Sequence, residues 1–198
     1  MSSERIFDVV LSIVGLAVIS PIFLLVAWAI GRDSSGPVFF RQVRIGKAGK
    51  PFRIYKFRTM VSDAEQKGMQ ITVGQDNRVT RIGKVLRKYK IDELPQLINV
   101  ILGDMSLVGP RPEVPRYVAK WPADVREEIL SARPGITDFA SIEFKDENAL
   151  LAGAQDPEKV YVEQILPVKI DYYLKYVRER SLWLDVKLIF RTLQAIFL

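Results

Sequence analysis

The pair Asp92-Glu93 is the strongest candidate in the sequence for a reacting centre. The chain has no Cys and no His, which excludes thiol nucleophiles, thiolate metal sites and histidine bases. Catalysis would therefore use carboxylates, amines, guanidinium groups or hydroxyls. A helix N-cap followed by a first-turn acid is the plainer interpretation of this pair. A helix N-terminus also attracts anions, so a phosphate could approach there.

Basic residues in three short motifs could bind phosphate groups. Lys56 and Arg58 alternate with aromatic residues at the end of a predicted strand, which places both on one face. Arg111 lies between two prolines, and its guanidinium could bind a phosphate through two parallel hydrogen bonds. Arg133 precedes a similar Pro-Gly turn. The alternative interpretation is that these are solvated basic residues of a strand and of loops.

The net charge of +6 indicates an anionic partner. A nucleic acid, a phospholipid surface and a phosphorylated substrate would all satisfy it. The basic residues carry no familiar nucleic-acid motif, and a basic set close to a membrane segment suits lipid headgroups and phosphates better. We therefore predict no nucleic-acid partner. A metal site without Cys and His would use oxygen ligands, which suit Mg²⁺, Mn²⁺ or Ca²⁺.

Residues 9–30 are almost wholly apolar and contain no charge. A helix of about 22 residues is about 33 Å long, close to the thickness of a bilayer core. Pro21 frees the carbonyl of Ala17, so the helix should kink or break there, and Ser20 could bond to the freed backbone. A spanning helix and a re-entrant helix both remain open. Basic residues that follow the segment place its C-terminal side in the cytoplasm.

The remaining patterns predict an α+β fold that is mainly helical. A β-hairpin with a basic tip is predicted from residues 38–44 and 52–57, and loops from residues 62–77 and 141–157. Asp92 should cap the helix at 92–102, which Gly103 should end. The last helix is too charged to span a membrane; it could pack in the core or lie in the membrane interface, and its pattern favours the core. Helices are predicted at residues 79–88, 92–102, 113–120, 123–131, 167–179 and 182–198.

Residues 76–112 strongly resemble the bacterial sugar transferase family, specifically its small monotopic phosphoglycosyl transferases. This segment reads DNRVTRIGKVLRKYKIDELPQLINVILGDMSLVGPRP. The Ser20-Pro21 pair, the YKFRTM motif at 55–60 and the RPGIT motif at 133–137 resemble the same family. The motifs are specific in combination and in order, and they cover nearly the whole chain.

The resemblance implies a two-step reaction. Asp92 would attack the sugar-bearing phosphate of a UDP-sugar and release UMP, and polyprenyl (undecaprenyl) phosphate would then take the phosphosugar from Asp92. Mg²⁺ would bind at Asp92 and Glu93, and Glu93 would serve either the metal or proton transfer. This would be the first membrane step in the synthesis of an O-antigen, a capsule, an exopolysaccharide or a glycoprotein glycan. The candidate phosphate or nucleotide ligands are Lys56, Arg58, Arg78, Arg87, Arg111 and Arg133.

The resemblance also implies an arrangement in the membrane. Residues 1–32 would form a re-entrant helix-break-helix at Ser20 and Pro21. Residues 33–198 would form a compact catalytic domain with interfacial amphipathic helices, on the cytoplasmic face of the bacterial inner membrane. Its partners would be a UDP-sugar, polyprenyl phosphate and phospholipid, and a homodimer is left open. The alternative hypothesis is a non-catalytic membrane scaffold for polysaccharide assembly.

One segment departs from the family pattern. Many members continue with Gly-Trp-Ala-Gln after the Pro-Gly-Ile-Thr motif, whereas this chain has Asp138-Phe139-Ala140-Ser141. An acidic stretch at residues 143–147 follows. The segment would shape the sugar or nucleotide pocket, so the departure leaves the identity of the sugar open.

Overall fold

The computed structural model of the protein describes residues 3–64, 73, 74 and 76–197, and it is mainly helical. The helices of these residues are α1 Ser3–Asp33, α2 Arg81–Lys88, α3 Gln96–Leu102, α4 Pro115–Val118, α5 Ala123–Leu130, α6 Phe139–Glu143, α7 Glu147–Ala152, α8 Pro157–Val160, α9 Leu166–Glu179 and α10 Leu182–Phe197. The strands are β1 Phe39–Ile45, β2 Pro51–Phe57, β3 Ser106–Val108 and β4 Gly135–Thr137. The predicted α+β class is confirmed. Most of the predicted loop at 62–77 lies outside the described residues.

Helix α1 is the one described helix that is long and apolar enough to cross a membrane. It remains helical through Pro21. The hydroxyl of Ser20 donates to the Ala17 carbonyl at 2.9 Å, which satisfies the acceptor that Pro21 leaves without an N–H. The helix break predicted at Ser20 and Pro21 is therefore wrong for the secondary structure of this segment.

Both ends of α1 contact the rest of the protein. Near its start, the Asp8 carboxylate accepts a hydrogen bond from the Ser106 hydroxyl at 2.7 Å and another from the Leu107 N–H at 3.3 Å. Near its end, Ile30 is buried against Phe57. The helix therefore lies along the domain instead of projecting from it.

Large apolar side chains are exposed on α1 and on α10. Leu24 of α1 and Trp183 of α10 are 75% and 77% exposed. The opposite face of α10 buries Leu188 completely, and Asp185 accepts a hydrogen bond from the buried Tyr176 hydroxyl. The predicted core packing of the last helix is confirmed for one face, while its other face presents apolar residues outward.

The predicted β-hairpin is confirmed. Strands β1 and β2 pair antiparallel from Phe39 opposite Phe57 to Ile45 opposite Pro51. The buried Asn99 of α3 fixes the hairpin to the domain: its Oδ1 accepts from the Tyr55 N–H at 2.8 Å, and its Nδ2 donates to the Arg53 carbonyl at 2.9 Å. These two hydrogen bonds fix the position of β2 relative to α3.

The two Pro-Gly motifs pack against each other through β3 and β4, a parallel pair that the sequence did not predict. The Gly109 N–H donates to the Thr137 carbonyl, and the Gly135 N–H donates to the Pro110 carbonyl, both at 3.0 Å. A Cβ atom at Gly135 would lie 2.1 Å from the Gly109 nitrogen. Because only glycine allows this approach, the motif glycines fix the turn that carries Arg111.

The prediction of a loop at residues 141–157 is wrong, because α7 and α8 and most of α6 lie there. These helices are short and largely exposed, so they carry little apolar periodicity. Side-chain caps begin two of them: Asp138 accepts from the Ser141 N–H at 2.7 Å, and Asp156 accepts from the Lys159 N–H at 3.0 Å. Local capping therefore formed helices where the hydrophobic pattern predicted none.

Candidate active site

A tight chain reversal presents Asp92 and Glu93. Lys90 adopts a left-handed conformation with φ of 54°, and residues Ile91–Glu93 form one turn of 3₁₀-helix. Helix α3 then begins at Gln96, with Pro95 at its N-cap. The prediction that Asp92 caps this helix is therefore wrong, because Asp92 lies within the 3₁₀ turn, three residues before the Pro95 N-cap of α3. Gly103 ends the helix with φ of 94°, as predicted.

Glu93 is bound by two cations. Its Oε1 accepts from the Lys56 Nζ at 2.7 Å. Arg111 donates to both carboxylate oxygens, with 3.2 Å between its Nη1 and Oε2. Burial acts to raise the pKa of Glu93, but Arg111 and Lys56 together hold that pKa well below its usual range. Glu93 is therefore ionised at neutral pH, and both of its oxygens are engaged.

Asp92 has the free carboxylate of the pair. The residue is 8% exposed, and its buried Oδ1 accepts no hydrogen bond from the described residues. Burial raises the pKa of Asp92, whereas Lys56 and Arg87 act to lower it. A buried acceptor without a partner is unfavourable by about 1–3 kcal/mol unless a ligand supplies a partner. Asp92 is therefore the carboxylate that is suited to meet a ligand.

Three other predicted ligands, the arginines at 58, 78 and 87, line one cleft together with Asp92 and Glu93. Each of them also bonds to other residues of the protein. The Arg87 Nε donates to the Thr59 hydroxyl at 2.9 Å. Arg58 is 4% exposed and donates to the Ser34 carbonyl at 2.7 Å. Arg78 forms an ion pair with Asp76 at 2.6 Å and donates to a backbone carbonyl at 3.0 Å. Arg58 and Arg78 therefore hold the walls of the cleft in place.

Arg133 lies outside the cleft lining. Its Nε donates to the Gly103 carbonyl at 3.1 Å, at the C-terminal end of α3. The structure therefore brings Lys56, Arg87 and Arg111 together around the carboxylates and does not bring Arg133 to them. Motif reasoning could not predict this difference, because the two Pro-Gly turns look alike as motifs.

The site opens into a cleft of about 2150 Å³, and we name two parts of its lining by the helices that supply them. We call the part formed by α1, α3 and α10 the apolar arm; its lining includes Leu11, Gly15, Ile19, Leu97, Leu193 and Ile196. We call the part formed by α6, α7 and α9 the polar arm; its lining includes Ser141, Lys145, Asp146, Asn148 and Lys169. The carboxylate pair, Lys56 and Arg111 line the same cleft.

Lys169 of the polar arm was missed by sequence reasoning. It is 5% exposed, forms an ion pair with Glu147 and lies 3.5 Å from the Tyr161 hydroxyl. A lysine on an amphipathic helix is normally solvated, so residue type alone gave no indication. Asp138 and Ser141 have the three-residue spacing that is typical of a helix N-cap. This spacing was a signal that could have predicted α6, a helix that lines the cleft.

Comparisons with known proteins agree with this chemistry. The sequence profile of the family described as "Bacterial sugar transferase" matches residues 1–198. An Aeromonas hydrophila protein named UDP-N-acetylgalactosamine-undecaprenyl-phosphate N-acetylgalactosaminephosphotransferase is 40% identical over 195 residues, which cover 98% of this chain and 43% of that protein. Two proteins named UDP-glucose:undecaprenyl-phosphate glucose-1-phosphate transferase are also similar. The one from Klebsiella pneumoniae is 40% identical over 195 residues, covering 97% of this chain and 39% of that protein.

The second, from Caulobacter vibrioides, is 40% identical over 197 residues, covering 98% of this chain and 69% of that protein. The chain thus spans less than half the length of the Aeromonas and Klebsiella relatives and about two thirds of the Caulobacter relative. All three alignments include nearly every residue of this chain, so the likeness extends over the whole cleft.

Proposed function

The chain belongs to the bacterial sugar transferase family, and from this premise we propose that it transfers a phosphosugar from a UDP-sugar to polyprenyl phosphate and releases UMP. The printed names of the relatives support undecaprenyl phosphate as the acceptor class. One observation carries the proposal: the unpartnered carboxylate of Asp92 lies beside the Lys56–Glu93–Arg111 cluster, in a cleft that reaches the apolar helix α1.

In the first step, a carboxylate oxygen of Asp92 attacks the phosphorus that bears the sugar. The bond from this phosphorus to the UMP oxygen breaks, and UMP leaves with the electron pair. The product is an acyl phosphate, which is energetic enough to pass its phosphoryl group on. Lys56, Arg87 and Arg111 stabilise the charge that spreads over the phosphoryl oxygens.

In the second step, a phosphate oxygen of the lipid attacks the same phosphorus. The bond to Asp92 breaks, the carboxylate is regenerated, and a sugar–diphosphate lipid is formed. A phosphate nucleophile is already ionised, so this step requires no general base. We assign Glu93 to the placement of Lys56 and Arg111, because its depressed pKa makes it a poor proton acceptor.

A Mg²⁺ ion fits this site through one carboxylate. Mg²⁺ is commonly held by one or two carboxylates together with substrate phosphates and waters. Asp92 offers an oxygen without a partner, whereas both oxygens of Glu93 bond to cations, and the described residues contain no cluster of three or more potential metal-binding side chains. We therefore expect Asp92 and the diphosphate of the donor to hold the ion. The bound metal would neutralise phosphate charge.

The contacts of α1 support an arrangement in which both of its ends lie on the same side of the membrane. Its start bonds to Ser106 through Asp8 and its end packs on Phe57, so both ends lie against the same domain. A helix that crossed the membrane would carry Asp8 to the opposite side. The exposed apolar faces of α1 and α10, with Leu24 and Trp183, would lie in the lipid. The basic residues after α1 favour the cytoplasmic face of the inner membrane.

The test is UMP release by the purified protein over a panel of UDP-sugars, with Mg²⁺ and undecaprenyl phosphate present. We expect release from at least one donor, dependent on the lipid for sustained turnover. Asp92→Asn should abolish it. Undiminished turnover by Asp92→Asn would contradict the proposal. Absence of UMP release from every donor, with binding to phospholipid vesicles retained, would favour a membrane scaffold.

A further inference from the structure

In the two-step reaction, the sugar and the lipid phosphate occupy different parts of the cleft. If phosphoryl transfer is in line, UMP leaves from the side of the phosphorus opposite Asp92, and the lipid phosphate enters from that same side. UMP and the lipid phosphate therefore occupy the same position in turn, whereas the sugar stays on the phosphorus through both steps. The sugar must then occupy a part of the cleft that the lipid never enters. This reasoning rests on the proposed function.

The apolar arm is the part suited to the lipid. It is lined by α1 residues such as Leu11 and Ile19 and by α10 residues such as Leu193 and Ile196. These helices also carry the exposed apolar faces, so a polyprenyl chain could pass from the bilayer into this arm along mainly apolar side chains. The sugar would be excluded from this arm in the second step.

The polar arm offers the groups that a sugar requires. Hydroxyl, amide, ammonium and carboxylate groups of Ser141, Asn148, Lys145 and Asp146 line it. Such groups donate to and accept from the hydroxyl and acetamido groups of sugars. Ligand sites commonly combine a few such polar groups with a preformed cavity.

Ser141 has an unsatisfied side chain in this arm. Its Oγ is buried and has no hydrogen-bond partner among the described residues, although the residue lines the cleft. The neighbouring Asp138 is fully buried, and its Oδ2 also has no partner among those residues, while its Oδ1 accepts from the Ser141 N–H. Buried polar atoms without partners are rare in folded proteins, so these two need a ligand or water to satisfy them.

Ion pairs and hydrogen bonds fix other side chains of the polar arm. Lys169 forms an ion pair with Glu147 at the start of α7. The Tyr161 hydroxyl beside Lys169 donates to the Glu113 carboxylate at 2.8 Å. A recognition site is selective only when its groups are fixed by such supporting contacts.

We propose that the polar arm is the sugar subsite and that the Ser141 hydroxyl is a specificity-determining contact to the sugar. The hydroxyl bonds to a ring hydroxyl or to an acetamido group of the donor. Asp138 places this hydroxyl by capping α6, and is a positioning residue.

The test compares wild-type protein with Ser141→Ala and Ser141→Thr. Ser131→Ala, at an exposed position outside the cleft, is the matched control. UMP release is measured with UDP-glucose, UDP-galactose, UDP-N-acetylglucosamine and UDP-N-acetylgalactosamine, and inhibition by UMP is measured alongside. We expect Ser141→Ala to lower kcat/KM for the preferred donor at least about tenfold relative to the others, with UMP inhibition unchanged. Ser141→Thr should keep the preference.

Two results would overturn the proposal. Weaker inhibition by UMP, in parallel with the loss of activity, would place the nucleotide in the polar arm. Unchanged donor ratios in Ser141→Ala would remove Ser141 from the sugar contact. Equilibrium binding of the same four UDP-sugars without lipid separates this proposal from the proposed function. A Ser141-dependent binding preference without UMP release would uphold the subsite and reject the transferase reaction.

Discussion

At the scale of single residues, the active site depends on an ion pair that joins distant parts of the sequence. Arg111 and Glu93 are separated by 18 positions, and Lys56 precedes Glu93 by 37. Residue types and motif context predicted Asp92, Glu93, Lys56 and Arg111 as site residues. The sequence could not predict that Glu93 binds both cations while the Oδ1 of Asp92 has no partner in the described part of the chain, because these contacts form only when the hairpin meets the turn before α3.

Arg111→Lys tests the two-pronged contact. Lysine presents a single ammonium group and cannot donate to both oxygens of Glu93 in the same plane. A hydrogen bond to a charged group contributes about 1.5–3 kcal/mol to stability, so we expect the thermal midpoint to fall. Because Arg111 also stabilises the charge on the phosphoryl oxygens, we expect kcat/KM for UMP release to fall about 10- to 100-fold.

Arg178→Lys is the matched control for this change. Arg178 also donates two hydrogen bonds to one carboxylate, that of Glu128, but it is exposed and outside the cleft. Its substitution should leave UMP release unchanged. An Arg111→Lys protein with activity within about twofold of wild type would contradict the role given to the guanidinium.

At the scale of elements, Asn99 joins α3 to β2 and thereby sets the position of Lys56. Asn99→Ala would leave the Tyr55 N–H and the Arg53 carbonyl without partners. Each buried unsatisfied group is unfavourable by about 1–3 kcal/mol. We expect a clear fall in the thermal midpoint, together with reduced UMP release. Asn77→Ala, at an exposed position, should change the free energy of unfolding by no more than about 0.5 kcal/mol.

Helix α10 is docked through a titratable contact. The Tyr176 hydroxyl lies 3.0 Å from the Val108 carbonyl and 2.8 Å from Asp185. The hydroxyl donates to Asp185 and to the Val108 carbonyl, and the burial of Asp185 disfavours its charged form. Burial raises the pKa of Asp185 to about 6 from an ordinary value of 3.8.

Asp185→Asn should therefore change the pH dependence of stability. Because the folded protein binds this proton more tightly than the unfolded chain, the stabilisation is full below pH 3.8 and is lost as pH rises through about 6. The asparagine variant lacks this titration. The difference in thermal midpoint, wild type minus variant, should fall between pH 4 and pH 7 in a pH series. Parallel curves for the two proteins would contradict this assignment.

The elements were predicted best where a periodic apolar pattern extends over many residues, and least well where the elements are short. The hairpin, α2, α9 and α10 lie close to their predicted bounds. Strands β3 and β4 have only three residues each. They pair residues that are far apart in sequence, such as Ser106 and Gly135, so no local pattern predicts them. The helices between Phe139 and Val160 depend on caps more than on burial, and they appeared in the sequence as a polar loop.

At the scale of the whole molecule, the question is on which side of the membrane α1 begins. The sequence predicted an apolar segment and left spanning and re-entrant arrangements equally open. A contact between Asp8 and Ser106, which are 98 positions apart, favours an arrangement with both ends of α1 on one side of the membrane. No local pattern could indicate it. In a membrane, this contact would keep the start of α1 on the side of the domain.

Cysteine labelling tests that arrangement cleanly, because the chain has no native Cys. Single substitutions Ser3→Cys and Ser35→Cys lie at the two ends of α1, and both positions are exposed. A membrane-impermeant thiol reagent should label neither position in intact cells and both in permeabilised cells. Labelling of Ser3→Cys alone in intact cells would indicate a spanning helix.

The central claim is that Asp92 carries the phosphosugar between the two steps, and trapping that adduct tests it most directly. Protein is incubated with a sugar-labelled UDP-sugar and Mg²⁺ without lipid, quenched, and analysed by peptide mass spectrometry. The account predicts up to one phosphosugar per chain, attached to Asp92 and discharged by undecaprenyl phosphate, with none on an Asp92→Asn protein. Labelling of a different residue, or turnover with lipid but no adduct without it, would contradict the account.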